Sequence, residues 1–238
     1  MTEDPAMYFQ HSDALWSDHP GLVAGAVFAT GITPAVSAGA RVAEFSAVAG
    51  SRLAAGPEAE FPEIRAWRRA FSAMGLKPTQ YRCAAESLLR RFRKEHALAR
   101  LHPLIDLCNA ISLAYAIPVA VFDVDRVDGG LEVRHAAGDE SYLTFSGETE
   151  NPEPGEVIFA DAAGRAHARR WTNRQSGHSA VRDTTGTVLI VAEAMHEAAA
   201  SDVPKLVSVI AGELNALWAA VPQTATLSRS APRFEFPA

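Results

Sequence analysis

Apolar positions in the first half of the chain follow two spacings. Leu22-Val23-Ala24-Gly25-Ala26-Val27-Phe28 is an unbroken run between Gly21 and Gly31, the pattern of a strand buried on both faces. From Thr33-Pro34 the spacing turns helical as far as Leu53, with Pro34 in the first turn, where its missing N–H costs nothing. Gly56-Pro57 breaks that helix. A second, over 62–74, aligns Ile64, Trp67, Ala70, Phe71 and Met74 on one stripe, and Gly75 marks its end. The turn Lys77-Pro78-Thr79-Gln80-Tyr81 leads to a third helix over 84–95. There Ala84, Leu88, Leu89 and Phe92 face inward, with Arg90, Arg91, Arg93 and Lys94 around them. Pro103 opens a fourth helix with Leu104, Leu107, Ala110, Ile111 and Ala114 inward, and Pro118 ends it and begins a strand over 119–122.

Beyond residue 130 the segments are short and β-rich: 131–135, 141–145, 156–160, 166–170 and 187–192. Gly-Gly, Gly-Asp, Pro-Glu-Pro-Gly and Asp-x-x-Gly turns separate them. A last helix is predicted from Pro204 to Val221, with Leu206, Val209, Ile210, Leu214, Leu217 and Trp218 inward. Helices first, then antiparallel strands, then a helix predict an α+β fold rather than a doubly wound sheet. One domain is expected over 1–222, with a polar C-terminal tail over 223–238 that ends in Phe234-Glu235-Phe236.

Composition narrows the function more than the fold. With 238 residues, 48% of them hydrophobic and 21% charged, the chain can bury a sizeable core. The net charge of −6 attracts no polyanion on its own, so contact with nucleic acid would need a local basic patch. Cys83 and Cys108 belong to no zinc spacing or disulfide framework and read as buried small hydrophobes. Residues 1–11 carry Asp, Glu and Pro without a basic-then-apolar signal, and no apolar run approaches a membrane span. A cytoplasmic location is therefore expected.

The phosphate-binding Gly-x-x-x-x-Gly-Lys, a dinucleotide Gly-x-Gly-x-x-Gly after a strand, His-Glu-x-x-His and Gly-x-Ser-x-Gly are all missing. The eight histidines are scattered, with no i, i+4 pair on a helix, so no metal and no cofactor is expected.

Three stretches occur in a telling order: Tyr81-Arg82-Cys83-Ala84-Ala85-Glu86-Ser87-Leu88-Leu89-Arg90-Arg91, His102-Pro103-Leu104-Ile105-Asp106-Leu107-Cys108-Asn109, and Ile117-Pro118-Val119-Ala120-Val121-Phe122-Asp123. The series resembles the B3/B4 editing domain in the β chain of bacterial phenylalanyl-tRNA synthetase. Pro154-Gly155-Glu156-Val157-Ile158-Phe159-Ala160-Asp161 and Arg169-Arg170-Trp171-Thr172-Asn173-Arg174 are more similar to free-standing B3/4 proteins of bacteria. The likeness spans about 75–193. It implies hydrolysis of the ester of a mischarged aminoacyl-tRNA, in trans, with the tRNA acceptor end as partner. An aminoacyl ester is already activated, so orienting a water and stabilising the developing oxyanion suffice. Where the synthetase pattern has His, this chain has Ala120; where alignment of His178-Ser179 puts the synthetase's pocket Glu, it has Val191. Tyrosine specificity is therefore not carried over.

Glu193, two residues past Val191 and on the same strand face, is the candidate general base or ammonium anchor. Asn109 is the second catalytic candidate, sharing a helix face with Asp106. Thr79, Tyr81, Asp106, Ala120, Trp171, Asn173, Ser176 and Val191 are the candidate substrate contacts. Arg90, Arg91, Arg93, Lys94 and Arg174 are candidates for the tRNA backbone, although a basic helix face is also how an ordinary solvated helix looks. Two other readings stay open: a non-catalytic module binding tRNA or an amino-acid derivative, and hydrolysis of a small aminoacyl ester or amide unconnected with tRNA.

Overall fold

The computed structural model describes residues 7–237; residues 1–6, part of the stretch read as free of a signal, lie outside it. The chain begins with β1 (Met7–His11), α1 (Asp13–Asp18), β2 (Val23–Thr30), α2 (Gly39–Ala55), α3 (Pro62–Ala73), α4 (Ala84–Glu95) and α5 (Pro103–Tyr115). Strands follow as β3 (Val119–Asp123), β4 (Gly130–His135), β5 (Tyr142–Leu143), β6 (Thr149–Glu150), β7 (Val157–Ala160), β8 (Ala166–Arg169), β9 (Arg174–Gln175) and β10 (Thr187–Ala194). The last elements are α6 (Ala199–Trp218), β11 (Gln223–Leu227) and β12 (Arg233–Phe236).

The strands form two main sheets. One is antiparallel, in the order β11-β2-β10-β3; the other runs β12-β1-β4-β7-β8-β9 and is antiparallel except for the parallel β1–β4 pair. The fold is α+β, with helices packed on the sheets. Alternation along β10 explains the layering. Val188, Ile190 and Ala192 join Leu104, Ile111, Leu206 and Ile210 of α5 and α6 on one face of the smaller sheet. Leu189 and Val191 meet Phe9, Phe122 and Phe159 on the other face, in the layer shared with the larger sheet. Glu193 falls in that second layer by the same alternation. At Gly25 a Cβ would collide with Val207 and Val203 of α6, so glycine lets that helix lie directly on β2.

The helices over 62–74, 84–95 and 103–115 and the strand from Val119 take the predicted positions. Three predictions need correction. The helix expected from Pro34 begins at Gly39, because Thr33 Oγ1 accepts the Ala35 N–H at 3.0 Å and closes a local turn instead. The last helix starts at Ala199 and carries Pro204 inside it; Ala200, whose carbonyl would receive the missing N–H, lies exposed to solvent. The segment read as a polar tail, whose docking the sequence left open, supplies two strands: β11 pairs with β2, and β12 pairs with β1, burying Phe234 and Phe236.

Candidate functional site

A cavity of about 60 Å³ lies between the two sheets, beside the hairpin that joins β8 to β9. Ala120 and Val191, direct partners across β3 and β10, form one wall. Phe159 and Trp171 fill the opposite side, and Glu193 lies at the inner end of the lining, only 2% exposed.

The Glu193 carboxylate is held from one side. Oε1 accepts from Trp171 Nε1 at 2.9 Å and lies 2.6 Å from His11 Nε2, at the end of β1 in the other sheet. Trp67 Nε1 donates to the Glu193 backbone carbonyl at 3.3 Å. Oε2 has no partner among the described residues, yet it is not sealed in the interior either, so it faces the cavity. A buried carboxylate with one oxygen fixed and the other open is an oriented acceptor for a cation or a donor. A second polar atom is also free: Thr172 lines the cavity, and its Oγ1 is enclosed without a hydrogen-bond partner.

The hairpin supplying Trp171 and Thr172 is conformationally costly. Arg170 and Trp171 both have positive φ, 47° and 58°, a region that bulky residues seldom enter. Contacts on every side hold it there. The Arg170 N–H donates to Glu156 and the Trp171 N–H to the Val157 carbonyl. The Trp171 ring meets Trp67 at 5.0 Å and His19 at 4.8 Å, both edge-on. Burial pushes the His19 pKa down, only partly offset by Asp18.

The predicted site residues do not all converge. Glu193, Trp171, Asn173, Ala120, Val191 and Arg174 line this cavity. Asn173 uses its amide to hold the Arg82 carbonyl at 2.7 Å, and Arg174 at the rim pairs with Glu150. Asn109 and Asp106 do share one face of α5, but that face opens on a separate groove of about 720 Å³ against α2. Asp106 accepts from the Leu101 N–H there, and the Asn109 side chain has no hydrogen-bond partner among the described residues. The pairing of Asn109 with Glu193 is corrected on this ground: α5 lies behind the smaller sheet and turns that face toward α2. Ser176 is buried away from the cavity and bonds the Leu143 carbonyl, so its role here is to hold a loop. Thr79 is exposed in the turn before α4. Tyr81 lies under the Arg170 guanidinium, 4.8 Å from its ring centre. Arg90 and Arg93 both pair with Glu58, itself buried, which offsets one of their two charges; Arg91 and Lys94 are exposed.

His11 was missed because only its distance in space, not in sequence, brings it to Glu193; its sole local signal is a His in an alternating strand. A second buried cluster was also missed. His167 bonds Ser179 Oγ at 2.7 Å through Nδ1 and Asp161 at 3.1 Å through Nε2. Both thiols are pushed up to about 12 by burial, as suits unreactive core cysteines. Among the described residues no group of three or more His, Cys, Asp or Glu could hold a metal ion, and no helix is long and apolar enough to cross a membrane.

A model of the B3/4 domain matches residues 66–206. The phenylalanine–tRNA ligase beta subunit of Chromobacterium violaceum is 32% identical over 75 residues, which is 32% of this chain and 10% of that protein. The corresponding subunit of Bradyrhizobium diazoefficiens is 36% identical over 67 residues, 28% of this chain and 8% of that one. The matched segments thus span about a tenth or less of those relatives. An N-terminal fragment of the phenylalanyl-tRNA synthetase beta-subunit from Pyrococcus horikoshii superposes with a TM-score of 0.52 at 10% identity, covering all of this chain and 56% of that one. At that identity the likeness is one of fold alone.

Proposed function

The chain belongs to the B3/4 domain family, and from that premise we propose that it is an aminoacyl-tRNA deacylase acting in trans on mischarged tRNA. The observation that carries this reading is the Glu193 carboxylate, oriented by His11 and Trp171 and open through Oε2 to the cavity. A carboxylate in a desolvated site is satisfied best by a cation, and every aminoacyl ester brings an α-ammonium. Glu193 anchors that ammonium and so places the ester carbonyl toward the mouth. Water adds to the acyl carbon, the bond to the ribose oxygen breaks, and the water's proton ends on that oxygen. Neither metal nor covalent intermediate enters this scheme.

The tRNA backbone is met at the rim of the cavity by Arg174, whose exposed pairing with Glu150 a phosphate can replace, with Arg170 four residues before it on the strained hairpin. A non-catalytic binding module is the second reading, favoured by Ala120 and Val191: they leave the cavity lining without an ionisable group besides Glu193 and Arg174 at the rim. The deciding experiment is release of labelled amino acid from a panel of matched and mismatched aminoacyl-tRNAs by wild type and Glu193→Gln. Turnover of some mismatched species, lost in the folded variant, supports the deacylase. Release no faster than spontaneous hydrolysis for every species, with analogue binding retained, assigns the protein to the binding class.

A further inference from the structure

The dimensions and bonding of the Glu193 cavity set the class of aminoacyl group that fits. A cavity of about 150 Å³ accommodates a benzene ring in a protein interior, and a single water needs roughly 10–15 Å³. At about 60 Å³ the space beside Glu193 is well under half of what an aromatic ring requires. It holds the equivalent of a few waters.

The walls are not free to retreat. Phe159 is stacked between Phe9 and Phe122, with ring centres 6.1 and 5.3 Å away. Trp171 is wedged by Trp67 and His19 and bonded to Glu193 itself. Val191 and Ala120 are paired across the β10–β3 ladder, one step from its end at Ala192 and Val119. Cores packed in this way admit extra atoms only with off-rotamer strain. The small Ala120 leaves little additional room, because the two aromatic side chains already occupy the far side.

The polar atoms add the chemical half of the argument. One unpartnered acceptor, Glu193 Oε2, faces this space. Resting on the deacylase reading, we infer that the site selects small aminoacyl groups, glycyl, alanyl or seryl, and rejects branched and aromatic ones by volume. The ammonium occupies Glu193 Oε2. The remaining space takes at most a methyl or hydroxymethyl. Ala120, Val191 and Phe159 are the residues that determine size.

Binding without turnover tests this directly. The probes are 3′-amino-3′-deoxyadenosines carrying glycyl, alanyl, seryl, valyl, phenylalanyl or tyrosyl groups in amide linkage, titrated calorimetrically into the full chain. The three small probes are expected to bind at least tenfold more tightly than the valyl probe, with no measurable binding of the aromatic two. Ala120→Leu, which fills the cavity, should weaken the alanyl and seryl probes at least tenfold. Val191→Ala should move the valyl probe toward the alanyl one. Aromatic probes that bind as well as alanyl would overturn the size limit, as would failure of all six to bind. If small probes bind but no aminoacyl-tRNA is hydrolysed, the size inference stands and the deacylase reading falls. Hydrolysis of tyrosyl- or phenylalanyl-tRNA in preference to alanyl-tRNA has the opposite meaning.

Discussion

Two buried carboxylates meet histidines in this protein, and the difference lies in what remains unsatisfied around them. Asp161 accepts backbone N–H groups from Asp128, Ala163 and Arg165 as well as His167, whose other nitrogen is bonded to Ser179. Glu193 has one oxygen doubly bonded to donors and the other bare, and the His11 Nδ1 beside it has no partner. By residue type the first cluster is a Ser-His-Asp relay and looks the more catalytic. Ser179 is fully buried, however, and the polar side-chain atoms of Asp161, His167 and Ser179 are all paired, so the cluster fastens β8 to the loop before β10. A completed network has nothing to offer a ligand. Chemistry is expected where bonding is incomplete and a cavity reaches the open atom, as at Glu193.

The sharpest way to break this contrast is Asp161→Ala. It removes several hydrogen bonds to one buried carboxylate and leaves the His167 Nε2 without its partner, so a loss of about 3–5 kcal/mol is expected in urea or thermal unfolding. Deacylation per folded molecule should be unchanged; a rate loss exceeding the loss of folded protein would make the Asp161 cluster functional after all. Glu193→Gln should show the reverse balance. The side-chain shape is kept but the charge is removed, and kcat/KM is expected to fall about a hundredfold, roughly 2.7 kcal/mol, with a smaller shift in Tm. Trp171→Phe deletes one N–H donor to a charged group and should cost about 1.5–3 kcal/mol of stability. It should also weaken ligand binding by loosening Glu193; unchanged affinity for the alanyl probe would show that the carboxylate is oriented by His11 alone.

The smallest effect is one of pH and touches both clusters. His19 stands against Trp171 and His178 against His167. Burial pushes both histidine pKa values down; Asp18 partly offsets this at His19, while the charges of His167 and Arg165 add to it at His178. A histidine whose folded pKa lies below its unfolded value, about 6.5, binds fewer protons when folded. Its stabilisation is complete above about pH 6.5 and is lost as the pH falls through the folded value. Asp161 follows at lower pH. Burial pushes its carboxyl up, but hydrogen bonds from His167 and the backbone outweigh this and hold it below the usual carboxylate range. Its contribution is present above about pH 4 and is lost as the pH falls through that lowered value. Thermal unfolding across this range should show a shallow decline and then a steeper one. His19→Gln combined with His178→Gln should flatten the shallow part, and an unaltered profile would place the titrating groups elsewhere.

Short-range pattern determined much of this architecture. The helices over 62–73, 84–95 and 103–115 follow from 3.6-residue periodicity with Pro and Gly at their ends, because a helix satisfies its own backbone locally. Glu193 stood out as one charged residue closing an apolar strand, and the two-residue period of that strand sufficed to put it on the same face as Val191. What tertiary structure alone decided were the partners. His11 and Glu193 are 182 residues apart and belong to different sheets. The β12 strand is too short to declare itself until β1 offers an edge to pair with. Asn109 and Asp106 share a face as their spacing predicts, but which cavity that face meets depends on how α5 packs between α2 and the smaller sheet. Local propensity is a property of neighbouring residues, whereas a site is made by chain segments brought together from afar, and no periodicity along the sequence encodes that meeting.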